Sequence, residues 1–186
     1  MKTLLIDNGS TLTPKLASLS PGKEDIVRYD AIPDKLDEYS LIILSGSSEF
    51  SVLGNEEKLS REIELIKNAN IPIVGICLGH ELIARAFDAT LELLSESCFG
   101  MTNVDVVKQH PMFGGRANFS VYEKHQYGVT AVQEPLEVLA VTEQFIAVMK
   151  HKTKSIYGFQ FHPEHHTDEQ YGDEVFLTLF DYLMQR

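Results

Sequence analysis

The stretch "IPIVGICLGHELIA" (residues 71–84) passes from an unbroken apolar run into a helical pattern across a cysteine that has a glycine two residues away on each side. An apolar run of that length, bounded by turn-forming residues, is expected of a strand buried on both faces of a parallel sheet. Beyond Cys77, Leu78, Leu82, Ala86 and the Ile83/Phe87 pair keep helical periods, so "LGHELIARAF" (residues 78–87) reads as a helix. A thiol at a sharp strand-to-helix turn is exposed at the carboxyl edge of the sheet and meets the positive end of a helix dipole, which favours the thiolate. Side chains at Gly75 and Gly79 would collide with so tight a turn, and the Leu78 amide is left to face a developing oxyanion. The plainer alternative is a buried cysteine packing as a small hydrophobe. Glu81 falls one helical turn past Cys77 and therefore on its face, rather than on a solvated face of the helix.

Outward from this turn, "KTLLID" (residues 2–7) and "LIILSG" (residues 41–46) are further buried strands. "NEEKLSREIELIKNAN" (residues 55–70) places Leu59, Ile63 and Ile66 at helical spacing, with Glu56 and Glu57 in the first turn and Pro72 past the end. That is a strand, helix, strand crossover. "DIVRYD" (residues 25–30) reads as another strand, preceded by a short helix around residues 13–20. The second half is richer in Val, Ile, Phe and Tyr, with strands expected at "TNVDVV" (102–107), "ANFSVY" (117–122), "LEVLAVTE" (136–143), "QFIAVMK" (144–150) and "SIYGFQF" (155–161). "GDEVFLTLFDYLMQR" (172–186) closes the chain as a helix with one apolar stripe. The expected architecture is α/β: one domain over residues 1–186, with an open mixed, mostly parallel sheet flanked by helices.

Sixteen basic against 27 acidic residues give a formal charge of −11, which repels phosphate backbones and anionic lipid and excludes nucleic acid as an expected partner. "MKTLLIDNGS" turns polar far short of the roughly 18 residues of a membrane span and carries no cleavage pattern, so a cytoplasmic location and no membrane association are expected. Cys77 and Cys98 are then expected as free thiols, with Cys98 assigned to packing.

"YGFQFHPEHH" (residues 157–166) delivers His162 and Glu164 at the end of a strand-like run, with Pro163 restricting the backbone between them. A thiol needs a base, and an imidazole base needs a carboxylate to hold its tautomer, so Cys77, His162 and Glu164 form a complete nucleophilic set. The rival is a metal site from His162, His165 and His166. Its spacing matches no usual zinc pattern, and "HELIAR" lacks the second histidine of a zincin helix, so neither a metal nor a cofactor is expected.

"GICLGHE" (75–81) together with "YGFQFHPE" (157–164) resembles the two signature blocks of the class I glutamine amidotransferases, triad-type domains of flavodoxin-like fold that release ammonia from glutamine. Within that family the chain is most similar to the amidotransferase subunit or domain of GMP synthase: "LLIDNGS" opens the domain and "ILSGSSE" matches the oxyanion-strand block. "VYEKHQYGV" resembles the substrate-side loop, and "IAVMKHKTKSIYGFQFHPE" matches the run into the triad. The resemblance implies that Cys77 attacks the side-chain amide to form a γ-glutamyl thioester, that His162 is base and acid, and that Glu164 orients it. It implies an oxyanion hole from the amides of Gly46 and Leu78, substrate contacts at Glu81, His125 and Gln126, and ammonia passed to an ATP-dependent synthetase on another chain. The family usually carries glutamine where this chain has Glu81; a carboxylate keeps the shape but loses the N–H donors and adds charge near the thiol. Ser47 and Ser48 stand where relatives carry more glycine or proline, and read as turn residues. A γ-glutamyl amide or peptide hydrolase acting alone, and a weakly active, regulatory binding protein, are the alternative functions.

Overall fold

The computed structural model describes every residue except Asp168, Glu169 and Arg186. In chain order the elements are β1 (Lys2–Asp7), α1 (Thr13–Leu19), β2 (Lys23–Arg28), β3 (Leu41–Leu44), α2 (Ser60–Asn68), β4 (Ile73–Ile76), α3 (Leu78–Ala86), β5 (Thr90–Val106), β6 (Asn118–Ala131), β7 (Leu136–Val141), β8 (Ile146–His151), β9 (Ile156–Phe159) and α4 (Gly172–Met184), with a 3-10 turn at Pro111–Phe113. All strands join one sheet in the order β2-β1-β3-β4-β9-β8-β7-β5-β6. The pairings from β2 to β9 are parallel, and those from β9 to β6 are antiparallel. The sheet is therefore mixed, with its parallel half holding the strands that the apolar runs announced.

Alternation along those strands divides the core between two faces. Leu5, Ile43, Val74, Ile76, Tyr157 and Phe159 pack with α1 and α4, through Leu16, Phe176 and Leu179. Leu4, Ile6, Ile42, Leu44, Ile73 and Ile156 turn the other way, against α2 and α3. The α4 stripe of Val175, Phe176, Leu179 and Phe180 docks as the sequence requires; Arg186, where that quoted stretch ends, lies outside the described residues.

Two expectations change. Helix α2 starts at Ser60, not Asn55, so Glu56 and Glu57 precede it. The Gly54 N–H donates to Oε2 of Glu56 at 2.9 Å and Arg85 Nε lies 3.6 Å from its Oε1, contacts that hold this acid in a turn outside the helix. The strands read at 102–107 and 117–122 are the inner parts of a much longer hairpin, in which β5 runs 17 residues and β6 runs 14. Its outer part leaves the layered core: Leu93 and Phe99 are exposed, and the register shifts between Leu93 and Cys98. Both thiols are free, Cys77 buried and Cys98 half-buried. Among the described residues no helix is long and apolar enough to cross a membrane.

Candidate active site

Cys77 occupies the single residue between β4 and α3, with φ 51° and ψ −104°, a conformation that L side chains rarely adopt. Ladder and helix both hold it there. Its N–H donates to Phe159 O at 2.8 Å, and its carbonyl accepts from Glu81 N–H at 3.0 Å, opening the helix. A Cβ on Gly75 would lie 2.3 Å from Gly79 O, and one on Gly79 would lie 2.4 Å from Leu44 O. No side chain fits at either place, which accounts for the glycine spacing around the thiol. Strain of this kind costs on the order of 1–3 kcal/mol and persists only where surrounding structure enforces it.

Parallel pairing of β4 with β9 brings the second block alongside, and the chain leaving β9 turns so that His162 N–H donates to Tyr122 O on β6 at 2.9 Å. Nδ1 of His162 lies 2.8 Å from Oε1 of Glu164, and the ring stands beside the Cys77 thiol, close enough that each shifts the other's proton affinity. All three residues are buried, at 5%, 5% and 3% exposure for Cys77, His162 and Glu164. Burial pushes the Cys77 thiol up against the pull of His162, while burial of His162 is outweighed by the thiolate and the Glu164 carboxylate, which raise the ring well above its ordinary value. Ionisation of the thiol and protonation of the ring therefore favour one another, and Glu164 stands beside Nδ1 whatever the sulfur does. The three histidines of the rival metal reading separate: His165 stacks on Tyr122 at 3.6 Å between ring centres, and His166 pairs with Asp173 at the surface. Among the described residues no group of three or more ligating side chains could hold a metal ion.

Gly46 packs against the site from the loop just past β3. A Cβ there would lie 3.3 Å from both Cys77 Cβ and His162 Cε1, so a bare backbone alone leaves the approach open. Leu78 is the first residue of α3, where an N–H has no partner within the helix. Asn8 latches the loop at Gly46: its N–H donates to Ser45 Oγ at 2.9 Å, and its Nδ2 donates to Ser45 O and to buried Glu62. Ser47 Oγ accepts from the N–H groups of Glu49 and Phe50, the turn role its type suggested.

A cavity of about 530 Å³ opens over the thiol, and Leu78, Glu81, Cys98, His125 and Gln126 are among its lining residues. Glu81 is 4% exposed, not solvated. Burial pushes its carboxyl up to about 8, against the hydrogen bond from Gln160, so at neutral pH it is an uncharged acid rather than the charged neighbour that the sequence suggests. His125 sits within β6 and is buried, whereas Gln126 points outward at the cavity rim. Sequence reasoning missed three buried polar side chains around this turn: Gln160, Glu123 and His80. A Cβ on Gly158 would lie 2.6 Å from His80 Nδ1, so the glycine of "YGF" is the space that His80 fills.

The class I glutamine amidotransferase model matches residues 4–181. The chain belongs to that family. A glutamine-hydrolyzing GMP synthase subunit of Methanothermobacter thermautotrophicus is 34% identical over 168 residues, spanning 83% of this chain and 87% of that protein. The corresponding subunit of Methanocaldococcus jannaschii is 39% identical over 137 residues, spanning 72% and 69%. A crystal structure of a candidate GMP synthase subunit from Thermoplasma acidophilum superposes with a TM-score of 0.87 at 28% identity, covering 100% of this chain and 94% of that one. The fold matches that of the class I glutamine amidotransferases, and in this chain the Cys77 turn follows the carboxyl end of β4.

Proposed function

We propose that this chain hydrolyses the side-chain amide of glutamine at Cys77 and supplies the ammonia to an ATP-dependent synthetase on a separate chain, for GMP synthesis. His162 takes the thiol proton as Sγ bonds to the amide carbon. The carbonyl oxygen, carrying the displaced electron pair, is met by the N–H groups of Gly46 and Leu78. The C–N bond breaks as His162 returns its proton to the leaving nitrogen, leaving a γ-glutamyl thioester and ammonia. Water, deprotonated by the same ring, then cleaves the thioester to glutamate and free thiol. Glu164 orients the ring and offsets its charge at each proton transfer. Glu81, His125 and Gln126 line the space for the rest of the substrate.

The observation that carries this reading is the strained Cys77 beside the His162 ring, whose Nδ1 lies 2.8 Å from Glu164, at the bottom of an open cavity. The separate synthetase is supported by the relatives, each of which is named as one subunit of a GMP synthase. The test is glutamate release from glutamine by the purified chain, with Cys77→Ala as control, alone and in the presence of a GMP synthetase chain. Thiol-dependent release that rises with the partner supports the whole proposal. Release of glutamate from γ-glutamyl peptides but not from glutamine would replace it by a stand-alone hydrolase.

A further inference from the structure

Behind the nucleophile lies a buried acid, Glu123, that the proposed chemistry does not use, paired with the cavity-lining His125. Glu123 is 0% exposed, and it sits between the two β6 residues that border the site: Tyr122 O accepts from His162 N–H at 2.9 Å, and Lys124 O lies 3.9 Å from Cys77 Sγ. Neither Glu123 oxygen receives a hydrogen bond among the described residues, and the ion pair it makes is with His125, whose Nε2 lies 2.9 Å from Oε2. That approach is out of line for a hydrogen bond, so charge is what holds it. Nδ1 of His125 is 2.7 Å from Tyr127 O, and a carbonyl oxygen only accepts, so Nδ1 carries a proton. A neutral ring would then leave a bare, electron-rich Nε2 only 2.9 Å from a carboxylate oxygen, a repulsive contact. The pair must hold one further proton, and wherever that proton rests, the two side chains together are neutral.

Among the described residues Glu123 makes no ion pair but this one. From α3 come His80, which burial drives down to about 3, and the uncharged Glu81. From β5 comes the Cys98 thiol, directly opposite His125. Phe145 sets its ring edge-on against His125 at 4.7 Å, the Lys124 side chain is exposed, and the remaining neighbour is Cys77 with His162 beyond it. A Glu123 carboxylate without that proton beside it opposes ionisation of Cys77.

We propose that Glu123 and His125 work as one charge-balanced pair behind the nucleophile, in which the imidazole's proton cancels the buried carboxylate and so leaves Cys77 free to ionise. They are positioning residues, acting through the thiol. The inference takes Cys77 as the nucleophile, but its readout needs no glutamine, so its failure is distinct from an absence of glutamine hydrolysis.

The experiment is the pH dependence of iodoacetamide alkylation at Cys77, resolved from Cys98 by peptide mass spectrometry, in wild type, His125→Gln and Glu123→Gln/His125→Gln. His125→Gln strands the carboxylate. Alkylation at pH 7 is expected to slow about tenfold, with the profile moved up by about one pH unit. The double variant, which removes the stranded charge, is expected to return to the wild-type rate and profile. Wild-type alkylation in His125→Gln, or a double variant that keeps the single variant's defect, overturns the proposal. If His125→Gln does not fold, thermal stability becomes the readout: the double variant must recover it, and a double variant as unstable as the single is equally fatal.

Discussion

Gln160 Nε2 donates a 3.4 Å hydrogen bond to Oε1 of Glu81, joining β9's end to α3 one turn past Cys77 with both side chains buried. An amide held against a buried acid fixes that acid in place but leaves it uncharged, since its pKa stands at about 8 against an ordinary 4.5. Between those values the folded chain keeps a proton that the unfolded chain has lost. This acid therefore lowers stability progressively as pH rises from about 4.5, and the penalty is complete above about 8.

Glu81→Gln removes that penalty. The variant should match wild type near pH 4.5, then gain on it by roughly 1.4 kcal/mol per pH unit at most, and the gain should level off above about 8. Glutamine turnover should improve more at pH 9, where wild-type Glu81 is ionised, than at pH 6.5, where the neutral acid already has the shape and donor of an amide. Thermal melts and kcat/KM across this range decide it; a melting-point difference independent of pH would count against a buried neutral acid.

The backbone at Cys77 gives a second outcome. With φ 51° and ψ −104° the site suits glycine alone. Cys77→Ala keeps the strain and loses the thiol, whereas Cys77→Gly loses both. Urea denaturation should find Cys77→Gly more stable than Cys77→Ala by about 1 kcal/mol, the reverse of the usual order for these two residues. Equal or lower stability for the glycine variant would mean the turn is not strained.

Gly46→Ala tests the approach to the thiol. The new methyl would press on Cys77 and His162 at 3.3 Å, displacing each by a few tenths of an ångström. Stability should change by less than about 1 kcal/mol, because reduced unfolded-state freedom offsets the crowding. Glutamine turnover should fall about tenfold or more, as misplaced reacting groups are costly. Unchanged kcat/KM would remove Gly46 from the oxyanion site.

What the sequence made legible follows from where each segment is buried. Strands β1, β3 and β4 and helices α3 and α4 face the core along their length, so their apolar pattern is unbroken. The outer β5–β6 hairpin is half solvated, and "LELLSESCFG" mixes Leu and Phe with acids and serines at no single period. The proposed set of Cys77, His162 and Glu164 could be picked out because its members lie in two short blocks, each local to one turn. Glu123, His80 and Gln160 acquire their importance only when distant strands bury them. One signal was present for Glu123: in "VYEKHQY" the alternation that sends Val121 inward sends Glu123 and His125 with it.

Glu164→Gln probes the charge beneath the base. The amide can keep an oxygen at Nδ1 while losing the charge that helps raise His162 well above its ordinary 6.5. With a raised imidazole, the stabilising contribution is complete below about 6.5 and fades as pH climbs through the folded value. Wild type should therefore exceed Glu164→Gln in melting temperature most near pH 6, and the gap should narrow on the alkaline side. Loss of the corresponding charge in a serine triad lowers kcat about 10⁴-fold, and a fall of about 10²–10⁴ is expected here at constant fold. Circular dichroism confirms the fold, and glutamate release across pH gives the rate. A variant that hydrolyses glutamine at the wild-type rate, with a melting gap flat in pH, would leave Glu164 as a packing residue and detach the carboxylate from the proposed triad.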